Sequence, residues 1–143
     1  MRENRQYIYN PETKKAMAYV TYNGITFATE ATCHENDYDF ESERTGLQIA
    51  DIRANIRILQ YKRDTEIKPV IKSLEHLLHN IQSSSQHNPK AYESIMIRNQ
   101  LKAYKKDLEE INKIINDEKA YLKEYINNKD KLYIKLRAKN NNQ

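Results

Sequence analysis

Hydrophobic and polar residues alternate along the first third of the chain, most clearly on either side of Asn23–Gly24, in AMAYVTY and ITFATEATC. The two central positions of a tight hairpin turn need positive φ angles, which Asn and Gly adopt readily. The pattern predicts an antiparallel hairpin that pairs Tyr22 with Ile25 and Val20 with Phe27.

This register collects apolar side chains on one face of the hairpin. They are Ala18, Val20, Tyr22, Ile25 and Phe27. Upstream, QYIYN followed by PETKK indicates one more strand and a turn. We therefore predict a three-stranded antiparallel meander, which needs another element to cover its apolar face because so small a sheet is not stable alone in water.

The hydrophobic period then changes from 2 to about 3.5, which indicates a helix. Asp39 or Ser42 is expected to cap its first turn, and the pattern continues to about Gln82. Pro69 is expected to kink this helix, since its ring removes one hydrogen bond. SSSQHNPK, residues 83–90, is predicted to be a loop.

The second helix carries the most regular pattern in the chain, with spacings of 4 and 3 that are typical of a coiled coil. Its seam is predicted at Ile97, Leu101, Tyr104, Leu108, Ile111, Ile115, Glu118, Leu122, Tyr125, Lys129, Leu132 and Leu136. The first helix offers a partner stripe at Ile49, Ile52, Ile56, Leu59, Val70, Leu74, Leu77 and Ile81. The predicted fold class is α+β, an N-terminal β-meander followed by a long antiparallel two-helix coiled-coil hairpin.

The predicted organisation has a β-meander and acidic connector at residues 1–38 and a helical hairpin at 39–143, together forming one domain. A two-helix hairpin buries one stripe from each helix, so apolar residues beside the seam need the sheet or a second copy of the chain. These are Ile58, Ile67, Ile71, Leu78, Ile114, Tyr121, Ile126 and Tyr133. A homo-oligomer, a dimer or higher, that forms a four-helix bundle is the expected remedy.

Composition agrees with this architecture, since 38% hydrophobic and 31% charged residues suit long helices with narrow apolar seams. No window approaches the roughly 20 apolar residues of a membrane span, so no membrane partner is expected. Cys33 is the single cysteine, which excludes an intrachain disulfide and favours a cytoplasmic protein.

Positive charge is concentrated at the C-terminal end, where residues 83–143 carry 13 basic and 8 acidic side chains. A solvated helix face with a basic tail explains this excess. Contact with nucleic acid is the alternative, and it would depend on Lys129, Lys131, Lys135 and Arg137.

One stretch of the first helix, TGLQIADIRANIRIL, combines small residues with arginines. At 100° per residue, Gly46, Ala50, Arg53 and Arg57 form one stripe beside the predicted helix–helix seam. A second apolar face, made of Leu47, Ala54 and Ile58, is expected to receive the sheet. Asp51 and Asn55 are expected on the solvent side.

Arginines placed between apolar faces need anionic partners. Internal pairing is one interpretation, with Asp37 or Asp39 folding back onto Arg53. The functional interpretation is a recess for a phosphate or nucleotide-like anion. Its site residues would be the arginine forks Arg53 and Arg57, the recess at Gly46 and Ala50, and the stacking rings of Tyr19 or Tyr22. Close approach of another element, or an oligomer contact, would also explain the small residues.

Other chemistry is poorly represented. Cys33–His34 matches no zinc spacing, and His76 with His79 would need ligands from elsewhere. No orienting group for a Cys–His nucleophile pair and no phosphate-cradling glycine loop is visible in the sequence. We therefore expect no catalytic residues, metal or cofactor, and a protein that is not an enzyme.

The stretch ATCHENDYDF…TGLQIADIRANI resembles a pattern in small accessory proteins of bacteriophages that infect Gram-positive bacteria. In that pattern a short β segment ends in an acidic stretch, followed by a helix of the form G-x-x-I-A-x-x-R-A. Here the positions are Gly46, Ile49, Ala50, Arg53 and Ala54, and the likeness covers about residues 24–60. It implies a phage product in the host cytoplasm that acts stoichiometrically, by blocking a host defence protein or sequestering its nucleotide signal.

The leading hypothesis is a non-enzymatic, oligomeric binding protein, an anti-defence factor with a nucleotide-like ligand or a host defence protein as its partner. The alternatives are a nucleic-acid-binding protein that uses the basic C-terminal helix, and a structural coiled-coil adaptor.

Overall fold

The computed structural model describes residues 3–34, 37, 40, 42–84 and 91–141. The strands are β1 (Asn4–Asn10), β2 (Lys15–Tyr22) and β3 (Ile25–Thr32). The helices are α1 (Glu43–Lys62), a π-helical segment (Arg63–Ile67), α2 (Lys68–Ser84) and α3 (Ala91–Asn141). The predicted α+β class, an antiparallel three-stranded sheet followed by helices, is confirmed. Within the described ranges, no helix combines the length and apolar character needed to cross a membrane.

The sheet is the predicted meander, with strand order β1-β2-β3. Tyr22 pairs with Ile25 and Val20 with Phe27, as the hairpin register requires. The turn residues have φ angles of 53° at Asn23 and 76° at Gly24, so both occupy the left-handed region. The hairpin prediction is therefore confirmed in both its turn and its register.

One face of the sheet is buried, and it is the face that the alternation predicts. Its buried members include Ala16, Ala18, Val20, Tyr22 and Ala31. Ile25 belongs to the same face but lies exposed at the end of the hairpin.

Helix α1 begins after Ser42, which caps it. The backbone N–H of Thr45 donates to the Ser42 hydroxyl at 3.1 Å, and the Gly46 N–H donates to the Ser42 carbonyl at 3.1 Å. The first bond satisfies an N–H group that has no partner inside the first turn, and the second is the first bond of the helical ladder. The Ser42 cap is confirmed, and the alternative cap Asp39 lies outside the described residues.

The irregularity near Pro69 is the π-helical segment just before it. The Lys68 N–H bonds the carbonyl of Arg63, five residues back, so one extra residue is accommodated in the turn. Arg63 also donates to the Asn112 side chain of α3 at 3.2 Å. A proline has no N–H to continue the α-helical ladder, which makes the preceding turn the place where the register shifts.

Helix α2 extends through Ser84. The predicted loop therefore begins too early, because residues 83 and 84 are helical. The rest of that prediction, residues 85–90, lies outside the described residues.

The chain forms two compact units. The first comprises Met1–Ile58 and Asn116–Gln143, and the second comprises Leu59–Ile115. The second unit has its own core, in which Ile71 of α2 meets Ile97 and Leu101 of α3. The division of the sequence at residue 38 and the coiled-coil pairing of the helices both stay predictions.

Burial along the helices shifts by one residue from two predicted seam positions. In α2 the core takes Leu78 while Leu77 is exposed. The predicted positions Leu74 and Ile81 on either side do pack against this core. In α3 Tyr133 is only 3% exposed, whereas the predicted seam residue Leu132 is 53% exposed.

The shift in α3 follows from helical geometry. The buried residues Ile97, Ile115 and Tyr133 are 18 positions apart, which is five turns of a straight helix at 3.6 residues per turn. A strict heptad uses 3.5 residues per turn and drifts relative to this spacing. The placement of Leu132 in the seam is therefore wrong.

Several residues that were expected to need the sheet or a second copy of the chain are buried within the single chain. Ile58, Ile71 and Tyr133 are buried, whereas Ile114 and Tyr121 are exposed. The need for an oligomer is correspondingly smaller, and oligomerisation stays a prediction.

Candidate functional site

The small residues of α1 lie where the helix packs on the sheet. A Cβ atom added to Gly46 would stand 3.0 Å from the Cβ of Ala16. The Thr29 hydroxyl donates to the carbonyl of Ala50 at 2.7 Å, and Ala50 is fully buried. The sheet therefore covers the stripe of Gly46 and Ala50, and this geometry favours close packing as the role of both residues.

The two arginines lie at the edge of this contact, beside strand β3. Arg53 donates to the backbone carbonyl of Glu30 at 2.7 Å. The guanidinium carbon of Arg57 lies 5.6 Å from the centroid of the Phe27 ring, within the range of a cation–π contact. The Glu30 carboxylate pairs with Lys15. Among the described residues, neither arginine has a carboxylate partner.

The two tyrosines of the predicted site lie on opposite faces of the sheet. Tyr22 is on the face toward α1 and is 5% exposed, so little of its ring is accessible for stacking. Tyr19 follows the buried Ala18 and precedes the buried Val20, so its side chain points to the other face. The structure brings Arg53 and Arg57 together and adds Phe27, but it separates them from Tyr19.

The acidic connector does not reach Arg53 through Asp37. The Asp37 carboxylate instead forms an ion pair with Arg137 of α3, 100 positions away in sequence. The predicted contact between Asp37 and Arg53 is therefore wrong. The other candidate, Asp39, lies outside the described residues.

A polar network that the sequence pattern missed joins β1 to α1. Arg5 donates to the side chains of Asp51 and Asn55, and the Tyr7 hydroxyl donates to Asp51 at 2.7 Å. The placement of Asp51 and Asn55 on the solvent side is therefore wrong. Helical angles show which residues share a face but not which strand will cover that face.

The network changes the proton affinities of its members. Burial alone would lower the pKa of Arg5, but the hydrogen bonds and negative charges of Asp51 and Glu3 outweigh burial and raise it. Burial raises the pKa of Tyr7, and its hydrogen bond to Asp51 adds to the increase. Both shifts favour the protonated forms of Arg5 and Tyr7, which donate the hydrogen bonds that join the first strand to α1.

The basic residues near the C-terminus are partly engaged. Arg137 pairs with Asp37, and Lys129 lies 3.7 Å from Asp130 and 5.3 Å from the centroid of the Tyr133 ring. Lys131 and Lys135 are exposed. Two of the four cations of the predicted nucleic-acid surface, Lys131 and Lys135, are therefore exposed to solvent.

Cys33 and His34 follow directly after β3. Cys33 is buried, and its thiol donates to the backbone carbonyl of His34 at 3.3 Å. In the part of the chain that the structure describes, no three His, Cys, Asp or Glu side chains come together to hold a metal ion.

A second cationic region lies in the second unit, and the sequence interpretation missed it. A groove of about 670 Å³ runs between α2 and α3. Leu78 and Leu101 contribute its apolar lining. Its charged lining consists of Arg98, Lys102, Lys105, Lys106 and Glu109. The spacing of the first three cations, 98, 102 and 105, was a usable signal, because residues four and seven apart share a helix face.

No protein-family model, curated protein or solved structure matches the chain.

The arginines of α1 and the groove are two cationic regions whose side chains can bind an anion. Arg53 and Arg57 present guanidinium groups, which bind carboxylates and phosphates through paired N–H donors. The groove presents mostly lysines, which act as mobile point charges. Both arrangements suit electrostatic binding of an anion.

Proposed function

We propose that the protein is a non-enzymatic binding protein that holds a nucleotide-like anion at Arg53 and Arg57. The observation that carries the proposal is that both guanidinium groups contact β3, Arg53 at Glu30 and Arg57 at Phe27, and neither has a carboxylate partner among the described residues. A phosphate would supply the missing negative charge. The ring of Phe27, next to Arg57, replaces Tyr19 and Tyr22 as the aromatic surface of the proposed site.

The biological setting of this proposal comes from the resemblance to small phage proteins. In it, the protein is a phage anti-defence factor in the host cytoplasm that sequesters a nucleotide signal or blocks a host defence protein. The coiled-coil pairing of the long helices and a homo-oligomer that covers Ile114 and Tyr121 belong to the same proposal. Both residues are exposed in the single chain.

The test measures thermal stability against a panel of linear and cyclic nucleotides and ADP-ribose derivatives. A ligand at a hundred times its dissociation constant adds about 2.7 kcal/mol to stability. For a chain of this size the melting temperature should rise by several degrees. We expect a rise with one nucleotide class and its loss in the R53A/R57A variant.

Arg44→Ala is the matched control, because Arg44 is an exposed arginine on the same helix. It should keep the ligand-induced rise. Each variant is compared with its own unliganded melting temperature, since Arg53 and Arg57 also contact the sheet. If a nucleotide stabilised the R53A/R57A variant as much as the original protein, the proposed site would be wrong.

Nucleic-acid binding by the C-terminal helix is the second candidate, supported by the exposed Lys131 and Lys135. Its signature is an affinity for oligonucleotides that falls steeply with salt and falls further in K131A/K135A. If neither nucleotides nor oligonucleotides bind, the structural adaptor becomes the better proposal.

A further inference from the structure

The groove between α2 and α3 combines an apolar lining with an uncompensated positive rim. Leu101 is buried in the core of the second unit, and Leu78 packs partly against that core. Their side chains form part of the groove surface, so an occupant meets methyl groups there. Contact with an apolar side chain of a partner would remove this surface from water, which is favourable.

The rim is strongly cationic. Four basic residues and one acidic residue line the groove, and all five belong to α3. Among the described residues, no ion pair is found for Arg98, Lys102, Lys105 or Lys106. Elsewhere in the described part of the chain, basic residues form ion pairs: Arg5 pairs with Asp51, and Arg137 pairs with Asp37. The groove therefore retains an excess of positive charge that a partner can neutralise.

We propose that this groove is a docking site for an acidic amphipathic helix of a partner protein. Carboxylates on the flank of such a helix that meets α3 would pair with the lysines and Arg98, and its apolar face would cover Leu78 and Leu101. Helices that lie in grooves are held through apolar residues at positions i, i+3 or i+4, and i+7. The groove lining does not include Arg53 or Arg57, so this proposal is independent of the proposed nucleotide site.

The mixed chemistry of the lining favours a protein helix over a phosphate backbone. A phosphodiester chain would pair with the cations but would gain little from Leu78 and Leu101. Single-stranded nucleic acid is usually held by aromatic rings that stack on its bases, and the groove lining contains leucine instead. An acidic amphipathic helix uses both parts of the lining.

The experiment measures fluorescence anisotropy of a labelled synthetic peptide of about 14 residues, four helical turns. The peptide carries Leu at helical spacing on one face and Glu on the flank beside it that would meet α3. Two further probes are a peptide of the same composition with Leu and Glu scrambled, and a labelled thymidine oligonucleotide. We expect the amphipathic peptide to bind more tightly than either of them.

Charge reversal then locates the site. K102E/K105E should weaken binding of the acidic peptide by at least about tenfold, because it replaces attraction with repulsion. A peptide with Lys in place of Glu should bind this variant and not the original protein. K119E/K123E is the matched control, since it reverses two exposed lysines elsewhere on α3 and should change the dissociation constant by less than about twofold.

Three outcomes would overturn the proposal. Equal binding of the scrambled peptide would mean that charge alone attracts it and that the leucines play no part. Tighter binding of the oligonucleotide, lost in K102E/K105E, would assign the groove to nucleic acid. An unchanged affinity of the acidic peptide for a folded K102E/K105E, checked by circular dichroism, would place its binding outside the groove.

Discussion

Two helices of this protein carry basic residues on one face, and the structure uses them differently. On α1 the arginines lie next to Gly46 and Ala50, and the sheet covers that stripe. Arg53 bonds the backbone of β3, and Arg57 lies over Phe27. On α3, Arg98, Lys102 and Lys105 line an open groove, and no acidic partner is found for them among the described residues.

The comparison teaches that a basic stripe in a sequence does not reveal whether it is available to a ligand. Small neighbours allow another element to approach closely, and that element then contacts the cations. On α3 the cations lie instead beside leucines, and Leu78 and Leu101 line the groove with them. The size of the residues next to a basic stripe is therefore as informative as its charge about whether a ligand can reach it. Predictions that separate covered positions from open ones test this view.

The largest loss of stability is expected near the end of α3, where the exposed Leu132 and the buried Tyr133 are adjacent in sequence. Tyr133→Ala should lower the free energy of unfolding by about 3 kcal/mol, since it removes a buried ring that packs 5.9 Å from Phe40. Leu132→Ala should lower the free energy of unfolding by less than about 1 kcal/mol, because Leu132 is exposed. Urea unfolding measures both. Equal costs would mean that Leu132 is buried, as it would be in a regular coiled-coil seam.

An intermediate effect is expected where α1 touches the sheet. Gly46→Leu should lower stability by about 2 kcal/mol, because a Cβ atom at Gly46 already stands 3.0 Å from Ala16. Gln48→Leu is the control on the exposed side of the same helix and should change stability by less than about 0.5 kcal/mol. Thermal unfolding measures the difference. A Gly46→Leu protein as stable as the original would show that the sheet does not cover this stripe.

The smallest changes in stability are expected when the arginines of α1 and the lysines of α3 are replaced one at a time. Arg53→Ala should lower stability by about 1 kcal/mol through the lost hydrogen bond to Glu30, and Arg57→Ala by about 0.5 kcal/mol through the lost contact with Phe27. Lys102→Ala and Lys105→Ala should each stay within about 0.5 kcal/mol of the original protein. Chemical denaturation measures all four. A larger cost at the lysines than at the arginines would reverse the comparison.

Local chemistry was sufficient to predict much of the fold. The hairpin at Asn23 and Gly24 follows from the φ angles that a two-residue turn demands, and the cap at Ser42 follows from the unpaired N–H groups of a first helical turn. Both depend on residues only a few positions apart. The loss of register before Pro69 is also local, but its form as a π-helical segment was not predicted.

The candidate site was harder to predict because its residues meet across long sequence separations. The angular position of Arg53 and Arg57 on α1 was readable, and they do lie together. That Asp37 pairs with Arg137, and that Arg5 reaches Asp51, depends on which elements pack against each other. Helical spacing is enough to place Lys102 and Lys105 on one face, but it does not reveal the groove beside them.

The sequence by itself determined the elements of this protein, their approximate bounds, the register of the hairpin and the absence of a recognisable catalytic motif. These properties follow from backbone sterics and from periodicity, which act over a few residues. Only the tertiary structure decided which face of α1 the sheet covers, whether Leu132 or Tyr133 is buried, and which cations keep an unpaired charge. Those outcomes depend on packing between distant segments, where the fit of side chains decides between faces that a pattern alone leaves equivalent.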